Sequence, residues 1–168
     1  MDLRSVQKPL KDKYRQDGDT ARVTIRARAD QTETPIACSV DLGRALYAAE
    51  AHEGVGGSGS AACSGDLLLG ALAACAQITC QMVATAMGIP THHIAVNVEG
   101  DLDLRGTLGI SRDASVGFER LRMRFDVVAP EATEEQLAAL REKTERYCVV
   151  MQTLARPPAI ETEWPTPA

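Results

Sequence analysis

The sequence predicts an α+β domain, and three observations carry that prediction. Two pairs of segments alternate apolar and polar residues with a period of two. A mid-chain run of 24 residues, Gly65 to Gly88, is almost wholly apolar, and a further helical segment opens on a capping box. With 168 residues, 45% of them apolar, the chain is long enough for one good core. We assign residues 1–20 to a polar N-terminal extension and 21–168 to a single domain.

In RVTIRARA, Val23, Ile25, Ala27 and Ala29 alternate with Arg22, Thr24, Arg26 and Arg28, the period of a strand with one buried face. PIACSVDL, after a turn at Gln31–Thr34, is its hairpin partner. Residues 50–65, EAHEGVGGSGSAACSG, form a Gly/Ser/Ala loop into the apolar run, which is read as one long helix. Asp66 suits the helix N-terminus through the macrodipole, and Gly88 followed by Pro90 is a stop signal. HIAVNVEGDLDL and ERLRMRFDVV are two more strands, the second burying Leu121, Met123, Phe125 and Val127. Thr133-Glu134-Glu135-Gln136 opens a second helix that runs to about Tyr147, and AIETEW is a short last strand. The predicted order is β-β-α-β-β-α-β.

The long helix is apolar or small nearly all round: Leu67, Leu68, Leu69, Leu72, Ile78, Met82, Val83. Such a helix has to be covered on every side. Five short strands of one chain are little for that task, so a second copy is the economical cover and a homodimer is expected. The alternative is a monomer whose two sheet layers sandwich the helix.

A formal net charge of -5 argues against a general nucleic-acid binder. Arg120, Arg122 and Arg124 form a basic row, which in an acidic chain is expected to be a solvated face paired with Glu and Asp. The polar start has no apolar leader, and the apolar run carries Gln77, Thr79, Gln81 and several small residues, so neither export nor membrane insertion is expected. Five cysteines fit a reducing cytoplasm better than a secreted disulfide framework.

Gly54 to Gly59 matches GxGxxG, the dinucleotide fingerprint, but the strand before it and the acid about 20 residues after it are missing, so a flexible entry loop is expected. No CxxC is present and no metal is expected; His52, His92 and His93 form no pattern with Ser or Cys that points to hydrolysis. Cys75 and Cys80 are five apart, so on a helix their side chains diverge by roughly 140° and cannot bridge. A redox partner for Cys75 has to come from elsewhere, and Cys148 in ERYCVVMQTL is the best placed. From the residues alone, each thiol stays open between redox chemistry and inert packing.

The stretch GGSGSAACSGDLLLGALAACAQITCQMVATAMGIP resembles the central segment of the OsmC/Ohr family, the osmotically inducible and organic-hydroperoxide-resistance proteins. There a Gly-rich loop leads into a helix of the form acid-Leu-Leu-x-x-Ala-x-x-x-Cys, and a second cysteine follows about 70 residues later near a helix end. Those positions here are Cys75 and Cys148. The resemblance implies an OsmC-like fold, with antiparallel sheets wrapped around long central helices in an intertwined homodimer. It also implies a thiol peroxidase that needs no cofactor. Cys75 attacks an organic hydroperoxide as thiolate and becomes a sulfenic acid, Cys148 condenses with it, and an external dithiol reduces the disulfide. The alternative is a non-catalytic member binding a small apolar or thiol-bearing ligand at the dimer interface.

Cys75 lies too deep in its helix for the first-turn dipole to acidify it, so a cation is expected. The family takes an arginine from the N-terminal strand region, and Arg28 is the candidate. Many relatives carry Glu ten residues before the reactive cysteine, where this chain has Gly65; Asp66, one place later, is assigned either catalysis or helix capping. Many members follow the second cysteine with Pro-x-Ser, here Val149-Val150-Met151, so the local turn is expected to differ. Cys63, read as a thiol of the flexible loop, is the alternative resolving cysteine, and Cys80 is assigned to packing.

Overall fold

The computed structural model describes residues 16, 28–31, 37–41 and 46–165. The N-terminal extension and the segment 21–27 of the first predicted strand lie outside the described residues. The strands are β1 (Arg28–Gln31), β2 (Ala37–Asp41), β3 (Leu46–Glu50), β4 (Ala62–Cys63), β5 (His93–Asp101) and β6 (Arg120–Val128). Among residues 46–165 the helices are α1 (Ser64–Met87), α2 (Leu104–Thr107), α3 (Glu134–Tyr147) and α4 (Val149–Ala155), with a 3-10 turn at Glu53–Val55.

Two sheets result. The first has the order β1-β2-β3-β4, with β1, β2 and β3 antiparallel and the two-residue β4 parallel to β3. The second is the antiparallel pair β5-β6, in which Val96 faces Phe125 and Val98 faces Met123. The predicted hairpin of β1 and β2 is present, and so are β5 and β6. β3 was not expected: in Leu46–Glu50 burial runs along the strand instead of alternating, with Leu46, Tyr47 and Ala48 exposed and Ala49 and Glu50 buried, so no period of two marks it.

α1 crosses the domain and packs against β5, α3 and α4. Two buried groups lie along it. One joins Cys80 and Ala84 to Ile89, Ile94 and Leu140; the other joins Leu72 and Ala76 to Cys148, and Phe125 touches both. Gly88 ends α1 in the left-handed region (φ 70°), where its N–H reaches the Ala84 and Thr85 carbonyls. That matches the stop expected at Gly88 and Pro90. α3 opens on the expected capping box, with Gln136 N–H donating to Thr133 Oγ (3.2 Å) and Thr133 N–H to the Gln136 side chain (2.9 Å).

The helix after Thr133 ends at Tyr147, as expected; the chain then breaks at Cys148 and resumes as α4. One expectation is corrected at the C-terminus. AIETEW is not a strand here; residues 156–165 are irregular, with Ile160 85% and Trp164 90% exposed. The alternation is present in that segment, but a strand exists only where a neighbour takes its N–H and C=O groups, and no described strand pairs with it. On the outer face of the second sheet the arginine row is paired: Arg122 with Asp101 (2.8 Å) and Glu99 (3.2 Å), Arg124 with Asp126 (3.0 Å).

Candidate active site

The entry to α1 is built by Glu50 and Cys63. Glu50, the last residue of β3, is 9% exposed and accepts from Ser58 Oγ (2.8 Å) and the Ala61 N–H (3.0 Å), which strap the glycine loop down. These donors hold its carboxyl below the usual range. Gly59 in that loop has φ 75°, a left-handed conformation that favours glycine.

Cys63 is the N-cap of α1. Its Sγ accepts from the Asp66 N–H (3.4 Å), while its own N–H donates to Asp66 Oδ2 (2.9 Å). The structure therefore gives Asp66 reciprocal capping contacts, and the Cys63 N–H, then the Cys63 side chain, lower its pKa. Cys63 is buried, not an exposed loop thiol. Twelve residues separate it from Cys75, roughly 18 Å along the helix axis, so it cannot reach Cys75 while α1 is wound. The space above Gly65 belongs to Phe118, whose Cζ lies 3.3 Å from where a Cβ would stand. Arg28 is placed at the first position of β1, opposite Asp41, where only the backbone is described.

The structure brings Cys75 and Cys148 together. Cys148 is fully buried beside Leu72 and Ala76, with Cys75 packed against the same cluster, and each thiol shifts the other's pKa. What achieves this is the break between α3 and α4. Cys148, with φ -71° and ψ 106°, is extended; its N–H closes α3 on the Thr144 carbonyl (3.0 Å), and its C=O starts α4 by accepting from Gln152 N–H (2.9 Å). The Gln152 side chain donates back to the Glu145 carbonyl (2.9 Å), tying the new helix to the end of the old one.

Starting a helix at that point leaves its first N–H groups without intrahelical partners. Those of Val149 and Val150 act on Cys75 instead. Burial pushes the Cys75 thiol up, but the Val150 N–H, the Cys148 thiol, the Thr79 hydroxyl and the Val149 N–H together outweigh it, so its pKa lies below the ordinary thiol value. None of these groups is a cation, although sequence reasoning required one. Cys148 moves the other way: burial raises it, and a charge on Cys75 raises it further, against the pull of the Met151 and Val150 N–H groups. Cys80 is 2% exposed, and burial pushes it up against the Thr144 hydroxyl, as befits the packing role expected of it.

The N–H donors of Val149 and Val150 and the Thr79 hydroxyl escape a reading of the sequence by side-chain type. The spacing of four between Cys75 and Thr79 is a usable signal for the last; backbone donors leave none. A cavity of about 660 Å³ lies between β6 and α3, lined by Cys80, Leu121, Met123, Phe125, Leu140 and Met151 among others. Leu121, Met123, Phe125 and Met151 also pack against the Cys148 cluster, so the cavity and the thiols share a wall.

The two opposed shifts order the thiols by reactivity. Cys75 is thiolate above a depressed pKa, so its alkylation by iodoacetamide should level off at a lower pH than that of an ordinary cysteine, and at a lower pH than Cys148. Site-resolved mass spectrometry of the reduced protein between pH 6 and pH 10, roughly spanning the thiol range, measures this. Equal profiles for the two residues would contradict the geometry.

The family profile for OsmC-like protein matches residues 57–163. Solved structures with the same fold include an OsmC-like protein from Mycoplasma pneumoniae, at 17% identity and a TM-score of 0.68 over 80% of this chain and 89% of that one. An organic hydroperoxide resistance protein from Legionella pneumophila matches at 18% identity and 0.58, over 80% and 90%. One from Elizabethkingia anophelis matches at 20% and 0.60, over 81% and 91%. No curated protein matches the chain by sequence at a significant level. The profile spans more than half of the chain and covers both thiols and the helix that carries the first of them, and on that ground the chain belongs to the OsmC-like protein family.

Proposed function

We propose that the chain is a thiol-dependent peroxidase that reduces organic hydroperoxides. The observation that carries this reading is the meeting of a thiol of lowered pKa, Cys75, with a buried thiol of raised pKa, Cys148. That two structures of the same fold are organic hydroperoxide resistance proteins agrees with it. The Cys75 thiolate attacks the terminal oxygen of ROOH. An S–O bond forms, the O–O bond breaks, and the electron pair leaves on RO⁻, which takes a proton from water. Cys148 then attacks the sulfenic sulfur, the disulfide forms and water leaves. An external dithiol returns both sulfurs to thiols by exchange.

The two roles divide as the pKa shifts require. Cys75 is the nucleophile because it ionises first, and Cys148 stays a protonated thiol until the sulfenic acid has formed beside it. Asp66 supports the site by capping α1, and Arg28, at the first position of β1, is assigned as the activating cation. We infer a reducing cytoplasm as its compartment, where both thiols would start the cycle reduced.

We also infer a homodimer. Leu68, Ile78 and Met82 are 38%, 55% and 41% exposed on one side of α1, with Ala71 and Ala74 exposed between them. Cys75 sits within roughly 60° of Leu68, Ile78 and Met82 around the helix, at the border between that bare stripe and the core. By length and composition α1 passes the test for a membrane-crossing helix, with a mean hydropathy of 1.8, as core helices of soluble proteins also do. A second copy laid on the stripe would cover it and place each Cys75 at the subunit boundary.

Reduced protein exposed to cumene hydroperoxide should lose two thiols per chain and consume peroxide continuously when dithiothreitol is supplied. Cys75→Ser should abolish both, and Cys148→Ser should stop turnover while still consuming about one equivalent. A wild-type protein that loses no thiol would overturn the assignment. Sedimentation equilibrium should give twice the 18.0 kDa chain mass, and Ile78→Glu should shift it toward one. A monomeric wild type would refute the dimer.

A further inference from the structure

The cavity between β6 and α3 is built by two periodic faces. Met123, Phe125 and Val127 alternate along β6 and so share one side of the strand. Leu137, Leu140 and Thr144 recur at helical spacing on one face of α3. Leu137 is exposed and Thr144 buried, so the cavity runs from an open end to a closed one over roughly 10 Å of the α3 axis. Its α1 wall is Cys80, five residues beyond Cys75 and on a different side of the helix.

The closed end holds a polar atom that nothing satisfies. Thr144 is 2% exposed, and among the described residues its Oγ1 has no hydrogen-bond partner. A helical threonine ordinarily gives its hydroxyl to the carbonyl four residues earlier, as Thr85 does to Gln81 at 2.8 Å. Thr144 makes no such bond. The Cys80 thiol on the same wall feels the hydroxyl but, as a weak hydrogen-bonding group, leaves it unsatisfied. A buried hydroxyl without a partner costs stability, and buried polar groups are as a rule paired.

We propose that this cavity is a binding site for a small neutral molecule with an apolar body and one hydroxyl or carbonyl oxygen. The oxygen pairs with the Thr144 hydroxyl, which can donate to a carbonyl or accept from an alcohol, and the body lies along β6. About 660 Å³ is the size of a small-molecule site, and an apolar wall with one well-placed polar group is the usual construction. An ion does not fit. The charged residues of the lining, Arg141 and Glu145, are exposed and pair with each other (3.0 Å), so an ionised head at Thr144 would be buried without a counter-charge. The site does not depend on the peroxidase reading.

The probe is 2-phenylethanol, with ethylbenzene as the same body without the oxygen. Binding is read on the full reduced chain from the methyl resonances of labelled methionine: Met123 and Met151 line the cavity, and Met82 stands outside it on the bare side of α1. Saturable shifts of the Met123 and Met151 methyls are expected, with Met82 still. Thr144→Val keeps the shape and deletes the hydroxyl. It should weaken 2-phenylethanol about tenfold and leave ethylbenzene unchanged, while Thr144→Ser keeps the wild-type preference. Without ligand, Thr144→Val should melt about 2–4 °C higher, because it removes an unsatisfied group. If the valine variant fails to fold, Thr144→Ala makes the same deletion for the binding comparison. No saturable shift at Met123 and Met151, or equal 2-phenylethanol affinities with and without the hydroxyl, would overturn the proposal.

Discussion

The site depends on a break in the backbone at Cys148. A continuous helix from Glu134 onward would bond every N–H to the carbonyl four residues back and leave nothing to face Cys75. The extended conformation of Cys148 ends one helix and starts another, and the N–H groups freed by the restart are spent on a sulfur from a different helix. Hydrogen bonds to a charged acceptor are worth about 1.5–3 kcal/mol each, which is the scale needed to offset the burial of a thiolate. The same residue that makes the break supplies the second thiol, so the donors and the second sulfur arrive together.

α1 has to serve two environments. Leu72, Ala76, Cys80 and Ala84 are buried in the chain's own core, while Leu68, Ile78 and Met82 stay bare. A helix apolar on all sides is stable in water only when something covers the second face. Cys75 and Thr79 lie between the two, which gives the sulfur both a dry wall and a route of approach. The Glu50 strap and the Cys63–Asp66 cap fix where this helix begins, and so the height at which Cys75 meets Cys148.

Much of this was legible in the sequence because it follows from side-chain periodicity. The start and stop of α1, the capping box at Thr133 and the pairing of β5 with β6 all rest on local patterns that the fold keeps. Helix spacing excluded Cys80 as the partner of Cys75 and left Cys148 best placed, and the family resemblance gave the pair its roles. The rest failed for identifiable reasons. β3 is exposed at one end and buried at the other, so no period of two marks it. AIETEW alternates like a strand, yet strand formation is decided by a neighbour that the segment does not itself encode. Cys63 looked like a loop thiol because cysteine is rare as a helix cap. The backbone N–H groups that lower the Cys75 pKa have no letter in the sequence.

The account's central claim is that Cys148, delivered by the α3–α4 break, is the partner of Cys75. It is tested most directly by treating the reduced protein with one equivalent of an organic hydroperoxide, blocking the remaining thiols and mapping the disulfide by mass spectrometry of unreduced peptides. The account predicts one intrachain bond, Cys75 to Cys148, with Cys63 and Cys80 recovered as blocked thiols. A bond from Cys75 to Cys63, or oxidation that leaves Cys148 free, would contradict it.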